Sequence, residues 1–252
     1  MSVLASEWLK VRSVRSSHLI IGVGLGAIVL AAGLAWMAIG MYDRATPSMR
    51  ASARIAELEE VVVIVPQLCL GILGVLSWTS DRVLTTSLAI VPRRWPLLAA
   101  KAGVVGGLGL VVGPVVVLGT FFLSRGMLGD RYPVTGFAEA WPILAPTSLS
   151  VAVFGLLGLG LGVVLRSSAG AIGVLVGLVY VVPMIVGNLP EPWSERLGSV
   201  MIGALPREIA GASLASSVYG SLLPPVAAGL LLATYAVLPL LAGAWLLRLR
   251  DA

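Results

Sequence analysis

Six long stretches of this chain contain no Asp, Glu, Lys or Arg: Ser16–Tyr42, Val61–Ser80, Ala102–Ser124, Ala140–Leu165, Ser167–Pro190 and Ile209–Leu247. A bilayer core roughly 30 Å thick is crossed by about 20 residues of helix, so each stretch is long enough to span. The whole chain is 58% hydrophobic and only 12% charged, about half the charge of a soluble domain, and its mean hydropathy is +1.00. Transmembrane β-strands would instead show about ten residues of alternating polarity. The sequence therefore predicts an all-α membrane protein.

The last stretch holds 39 residues, more than one crossing needs, and Pro224-Pro225 divides it. Its first part, Ile209–Leu223, reaches only about 22 Å as a helix. It is also polar, with Ser213, Ser216, Ser217, Tyr219 and Ser221, which suits a re-entrant or interfacial helix. Six spans result, at about 18–41, 61–80, 99–124, 147–165, 169–187 and 226–247 in a single transmembrane domain. The fourth is placed from Thr147 because Pro142 and Pro146 precede it. With both termini cytoplasmic, ten of the seventeen basic residues fall inside: Lys10, Arg12, Arg15, Arg82, Arg93, Arg94, Lys101, Arg166, Arg248 and Arg250. That bias sets the orientation. The expected location is the plasma (inner) membrane, multi-pass. The first apolar run is about twice the 7–15 residues of a secretory signal and is read as a span. A pI near 9.9 reflects charges scattered at span ends rather than a nucleic-acid surface.

Glycines four apart, Gly22/Gly26, Gly109/Gly113 and Gly158/Gly162, predict close helix contacts of the small-xxx-small kind. Pro114 and Pro239 are expected to kink the third and sixth spans. Residues 1–17 read as an interfacial helix: Val3, Leu4, Trp8, Val11 and Val14 share an arc flanked by Lys10 and Arg12, with Glu7 inside it. Away from their ends the spans carry no ionisable residue of the kind that marks proton- and ion-coupled pumps. His18 is the only histidine and Cys69 the only cysteine, so metal clusters, disulfides and a Ser-His pair lack partners, and an enzyme is not expected. Energy for uphill transport would come from another subunit.

One segment, Ser80–Lys101, is basic, amphipathic and broken by proline. Leu84, Leu88 and Val91 recur at i, i+4 and i+7, giving a short apolar stripe. Pro92 ends it, Arg93 and Arg94 follow at headgroup level, Trp95 anchors at the interface, and Pro96 suits the first turn of the next helix. A cytoplasmic loop at 81–98 thus carries a short helix tied to a span on each side.

Four segments, "SEWLKVRSVRS", "TSDRVLTTSLAIVPRRWPLLAAKAGVV", "LGVVLRSSAGAIGVLVGLVYVVP" and "AGAWLLRLRDA", together resemble the permease subunits of ABC-2 type exporters, above all the small bacterial ones. The similarity extends over essentially the whole chain. Asp81 and Arg82 match the family's acidic-Arg pair, whereas Leu84-Thr85 stands where the family has Gly-Thr. The resemblance implies that the loop after the second span is a coupling helix docking into a separate cytosolic ABC ATPase, and that the N-terminal helix also touches it. The coupling set would be Asp81, Arg82, Leu84, Leu88, Val91, Arg93, Arg94, Glu7 and Trp8. It further implies two permease subunits, read as a homodimer, two ATPases, and re-entrant outer helices at 188–225. ATP and Mg would sit on the partner, because no GxxxxGK[ST] occurs in this chain. Lipids are the other expected partner. The uncharged interior points to an apolar or amphipathic cargo such as a drug, antibiotic, lipid or peptide. A non-transporting membrane immunity or sensor subunit is the alternative.

Overall fold

The computed structural model describes residues 16–51, 58–79, 94–129, 131–132, 136–211 and 222–251. Their regular structure is helical. Helix α1 is Ser16–Arg44 and the short α2 is Pro47–Ala51. Helices α3 (Leu58–Val62) and α4 (Ile64–Thr79) form one rod. Pro66 has no N–H for the Val62 carbonyl, yet the Val63 N–H to Glu59 carbonyl and Gln67 N–H to Val63 carbonyl bonds continue the ladder across the break. Then come α5 (Arg94–Leu128), α6 (Phe137–Leu165) and α7 (Ser168–Val176), followed by a π turn at Gly177–Val181 that leads into α8 (Val182–Gly187). Two short helices, α9 (Trp193–Ser199) and α10 (Leu205–Ala210), precede α11 (Pro225–Asp251).

Among the described residues six rods are long and apolar enough to cross a membrane: Gly22–Arg44, Leu58–Thr79, Trp95–Leu128, Phe137–Leu165, Ser168–Gly187 and Pro225–Leu249. Large apolar side chains are exposed along them, among them Val29, Val111, Met184, Val226 and Leu238, as a lipid-facing surface requires. Exposed tryptophans collect toward the two ends. Trp36, Trp141 and Trp193 lie toward the end that carries the longer connections, and Trp95 and Trp245 toward the other. Two such aromatic belts match the two interfaces of a bilayer.

Helix α6 is the hub. In its most apolar stretch 72% of the residues are buried, against 22% in that of the first rod and 17% in that of the fifth, and it packs on α4, α5 and α11. The contacts are made backbone to backbone. A Cβ on Gly158 would land on the Gly71 carbonyl, and one on Gly74 on the Gly155 carbonyl. Along the whole contact Gln67 meets Ser150, Leu70 meets Gly155 and Val75 meets Gly162, so α4 and α6 run parallel. Gly109 faces Ala152 and Gly113 faces the Ser148 carbonyl, which makes α5 antiparallel to α6. Gly160 receives Pro239, whose Cβ would lie 2.5 Å from an added one. In a bilayer, where apolar burial gives helices no net incentive to associate, such close approach is what dispersion needs. Two of the three expected glycine pairs therefore form helix contacts. The third does not: no described residue lies within 4 Å of a Cβ on Gly22 or Gly26, because α1 packs on α5 through a different face, with Gly24 toward Val116.

Several expected boundaries move. Helix α6 begins at Phe137, ten residues before Thr147, and contains both Pro142 and Pro146. Phe137 and Trp141 explain the extension. They join Phe121 and Phe122 in an aromatic cluster with ring centroids 5.3–5.9 Å apart, which anchors the added turns to the end of α5. The hydroxyls of Thr147 and Ser148 donate to the Ile143 and Leu144 carbonyls just beyond the prolines. The expected loop at 81–98 is shorter at its end, since 94–98 already belong to α5 with Pro96 in its first turn. Ile209 and Ala210 do not open a helix at 209–223. They close α10, which Gly211 ends in a left-handed turn (φ 65°) with its N–H bonded back to the Arg207 and Glu208 carbonyls. The remainder of that expected re-entrant helix, 212–221, lies outside the described residues, as do 1–15 of the N-terminal helix.

Candidate functional site

Of the nine residues read as an ATPase-coupling set, Glu7, Trp8, Asp81, Arg82, Leu84, Leu88, Val91 and Arg93 lie outside the described residues. Arg94 is the first residue of α5. The structure brings a different set together, at the end of the bundle where α3 begins and α5 ends.

There Glu59 and Glu60, adjacent on α3, point to different partners. Arg125, in the last turn of α5, donates from Nη1 to Glu59 Oε1 at 3.3 Å, with Glu59 only 2% exposed. The same guanidinium carbon lies 3.4 Å from the centroid of the Phe121 ring, a cation–π contact at the interface. Arg207 of α10 grips Glu60 Oε2 with both Nε, at 2.6 Å, and Nη2; the two side chains are 21% and 14% exposed. Helix α3 supplies this geometry because consecutive side chains on a helix diverge by about 100°, so neighbouring acids can bind elements on different sides. Next to Arg207, Glu208 is fully buried; its Oε2 accepts the Leu223 N–H at 3.0 Å, just ahead of α11. Outside this core, Arg131 Nε bonds Asp43 Oδ1 at 3.1 Å in an exposed pair, and the Tyr132 hydroxyl donates to the Ala38 carbonyl.

These groups tie the short α9–α10 segment down onto the bundle. Ile202 and Leu205 are buried in one cluster with Phe154, Leu157, Leu175, Leu232 and Ala236. Deeper still, the Tyr235 hydroxyl, ten residues into α11, donates to the Val200 carbonyl at 3.1 Å. At about 1.5 Å per residue the Tyr235 backbone lies about 15 Å along α11 from its start.

The opposite end has its own polar contact. Lys101 is buried, and its Nζ donates to the Ser77 carbonyl in the last turn of α4 at 2.7 Å. A cation there meets the negative end of the helix dipole as well as a carbonyl without a helical partner. Nearby, the Arg248 guanidinium carbon lies 5.6 Å from the Trp95 ring centroid, and Trp95 is half exposed as an interface anchor should be. Within the bundle, Gln67 Nε2 donates to Ser150 Oγ at 2.7 Å, and the Ser150 hydroxyl in turn donates a hydrogen bond to the Thr147 carbonyl.

Glu59, Glu60, Arg125, Arg207 and Glu208 escaped the sequence reading, which left them in the outer connections without a role. The available signal was an adjacent Glu pair at the mouth of an apolar run. Only the fold reveals that arginines from distant segments close over it. Among the described residues no group of three or more His, Cys, Asp or Glu is arranged to hold a metal ion. What this arrangement does is tie α3 to α5 and to α10, and α10 to the entry of α11. Comparison with protein-family models and with curated proteins finds no match to this chain.

Proposed function

We propose that this chain is the membrane-spanning subunit of an ABC-2 type exporter, moving an apolar or amphipathic substrate with energy from a separate cytosolic ATPase. One observation carries the reading. In the six apolar rods every Asp, Glu, Lys and Arg lies within about two turns of a helix end, a bundle suited to being driven from its ends. The sequence likeness to that family, which runs over essentially the whole chain and departs from it at Leu84-Thr85, supplies the identity of the driver. In this mechanism the ATPase pair closes on ATP and Mg and pushes the coupling segment through Leu84, Leu88 and Val91. Asp81, Arg82, Arg93 and Arg94 guide docking, and Glu7 and Trp8 form a second contact. A push there enters α5 directly, because that helix starts at Arg94. Two such subunits would frame the path, in the plasma membrane with both termini cytoplasmic, and the 188–225 segment would form outer re-entrant helices.

The test is co-purification with an ATPase encoded beside this chain. Replacing Leu84 and Leu88 together with Asp should release the ATPase and abolish substrate-stimulated ATP hydrolysis in vesicles. If the ATPase stays bound and still responds to substrate, this account is wrong. If no such ATPase associates with the unaltered chain, a non-transporting immunity or sensor role takes its place.

A further inference from the structure

We infer that residues 193–211 form a lid over one end of the bundle, and that the Glu60–Arg207 pair is its latch. Three observations combine. First, the lid's seat is apolar and specific: Ile202 and Leu205 fill a cluster made by α6, α7 and α11, so the segment is docked rather than draped. Second, it is a separate element: the chain leaves α8 through 188–192 and the segment ends at Gly211 in the left-handed region, so no long helix continues into it. Third, its strongest polar tie reaches out of its own neighbourhood. Arg207 crosses to Glu60 on α3, while the adjacent Glu59 binds Arg125 on α5. The two consecutive acids thus connect the lid to the helix that begins at Arg94, at the far end of the molecule.

Ion pairs of this half-buried kind are well suited to a latch. Separating the partners toward water restores their hydration, which offsets much of the lost attraction. Removing one partner instead strands the other in a poorly hydrated place. Two further polar ties hold the lid, Glu208 to the Leu223 N–H just ahead of α11 and the Tyr235 hydroxyl to the Val200 carbonyl, so opening that turns the segment about the Leu223 side also breaks the Tyr235 bond. Displacement of α5, by whatever drives it, would shift Arg125 and Glu59 and strain Glu60 away from Arg207. The inference does not depend on which subunit supplies the force.

Thiol accessibility tests it on the full chain in lipid nanodiscs, with no ATPase or cargo present. In a Cys69→Ala background, a cysteine at Ala204, a lid residue that is only 2% exposed while the lid is seated, reports opening, and one at Val151, 0% exposed in α6, reports general unfolding. Arg207→Gln should speed maleimide labelling at position 204 by about tenfold or more while position 151 stays protected. The charge swap Glu60→Arg with Arg207→Glu should restore slow labelling. Arg207→Lys, which keeps the charge but loses the two-pronged grip, should fall between. Unchanged labelling at 204 in Arg207→Gln would overturn the latch. Equal acceleration at 204 and 151 would overturn the lid, making the pair a prop of the whole fold. None of these outcomes depends on whether the chain belongs to an exporter.

Discussion

At the scale of single residues, the helix contacts rest on the absence of side-chain atoms. Gly158→Ala puts a methyl group on the Gly71 carbonyl, and Gly74→Ala does the same at Gly155. Overpacking of this sort costs about 1–3 kcal/mol, and here the obstructing atoms are backbone, which cannot rotate away. Gly107 lies on an exposed face of the same bundle with nothing within 4 Å of its would-be Cβ. Gly107→Ala should therefore stabilise α5 by about 0.5–1 kcal/mol through helix propensity alone. Thermal unfolding in one detergent should order the three proteins as Gly107→Ala, unaltered chain, Gly158→Ala, from most to least stable. Lys101 gives a second prediction. Lys101→Met keeps the length of the side chain but removes the donor to the Ser77 carbonyl. The expected loss is about 1–3 kcal/mol, again read by unfolding in detergent.

At the scale of elements, the connection between α6 and α7 is two residues long. Arg166 takes a left-handed conformation (φ 54°) that ends α6, and Ser167 caps α7 by accepting the Gly170 N–H at 3.2 Å. Ser167→Ala should destabilise the protein by about 1 kcal/mol, measured as a lowered unfolding midpoint, while Ser167→Asp should retain the cap. The helices themselves were legible in the sequence, because a 20-residue apolar run in a charge-poor chain has few other uses. Their edges were less so. Proline reads as a boundary in water, yet Pro142 and Pro146 sit inside α6, held there by the Phe137 and Trp141 rings. Pro183, unremarked in the sequence reading, has a visible effect. It cannot donate to the Val179 carbonyl, and the preceding turn widens so that the Val182 N–H reaches the Gly177 carbonyl five residues back. The ion pairs were illegible for another reason: Glu60 and Arg207 are 147 residues apart, and no periodicity links them. The stripe at Leu84, Leu88 and Val91 was read from local spacing, and it lies outside the described residues.

At the scale of the whole molecule, the aromatic belts fix where the bilayer should lie. Chains retaining only Trp36, Trp141, Trp95 or Trp245 should be quenched strongly by lipids brominated near the headgroup. A chain retaining only Trp78, which is 6% exposed, should be quenched weakly. Uniform quenching at all five positions would contradict the packing of α4 against α6. That packing also limits how the protein can move. Where Gly71 and Gly74 meet Gly155 and Gly158, two main chains touch with no flexible side chains between them to act as bearings. Sliding one past the other would drive carbonyls into α-carbons, so the pair behaves as a single strut rather than as two pistons. Any stroke has to be absorbed around it, and the widened turn at Gly177–Val181, in the rod least enclosed by its neighbours, is the joint the architecture leaves free to bend.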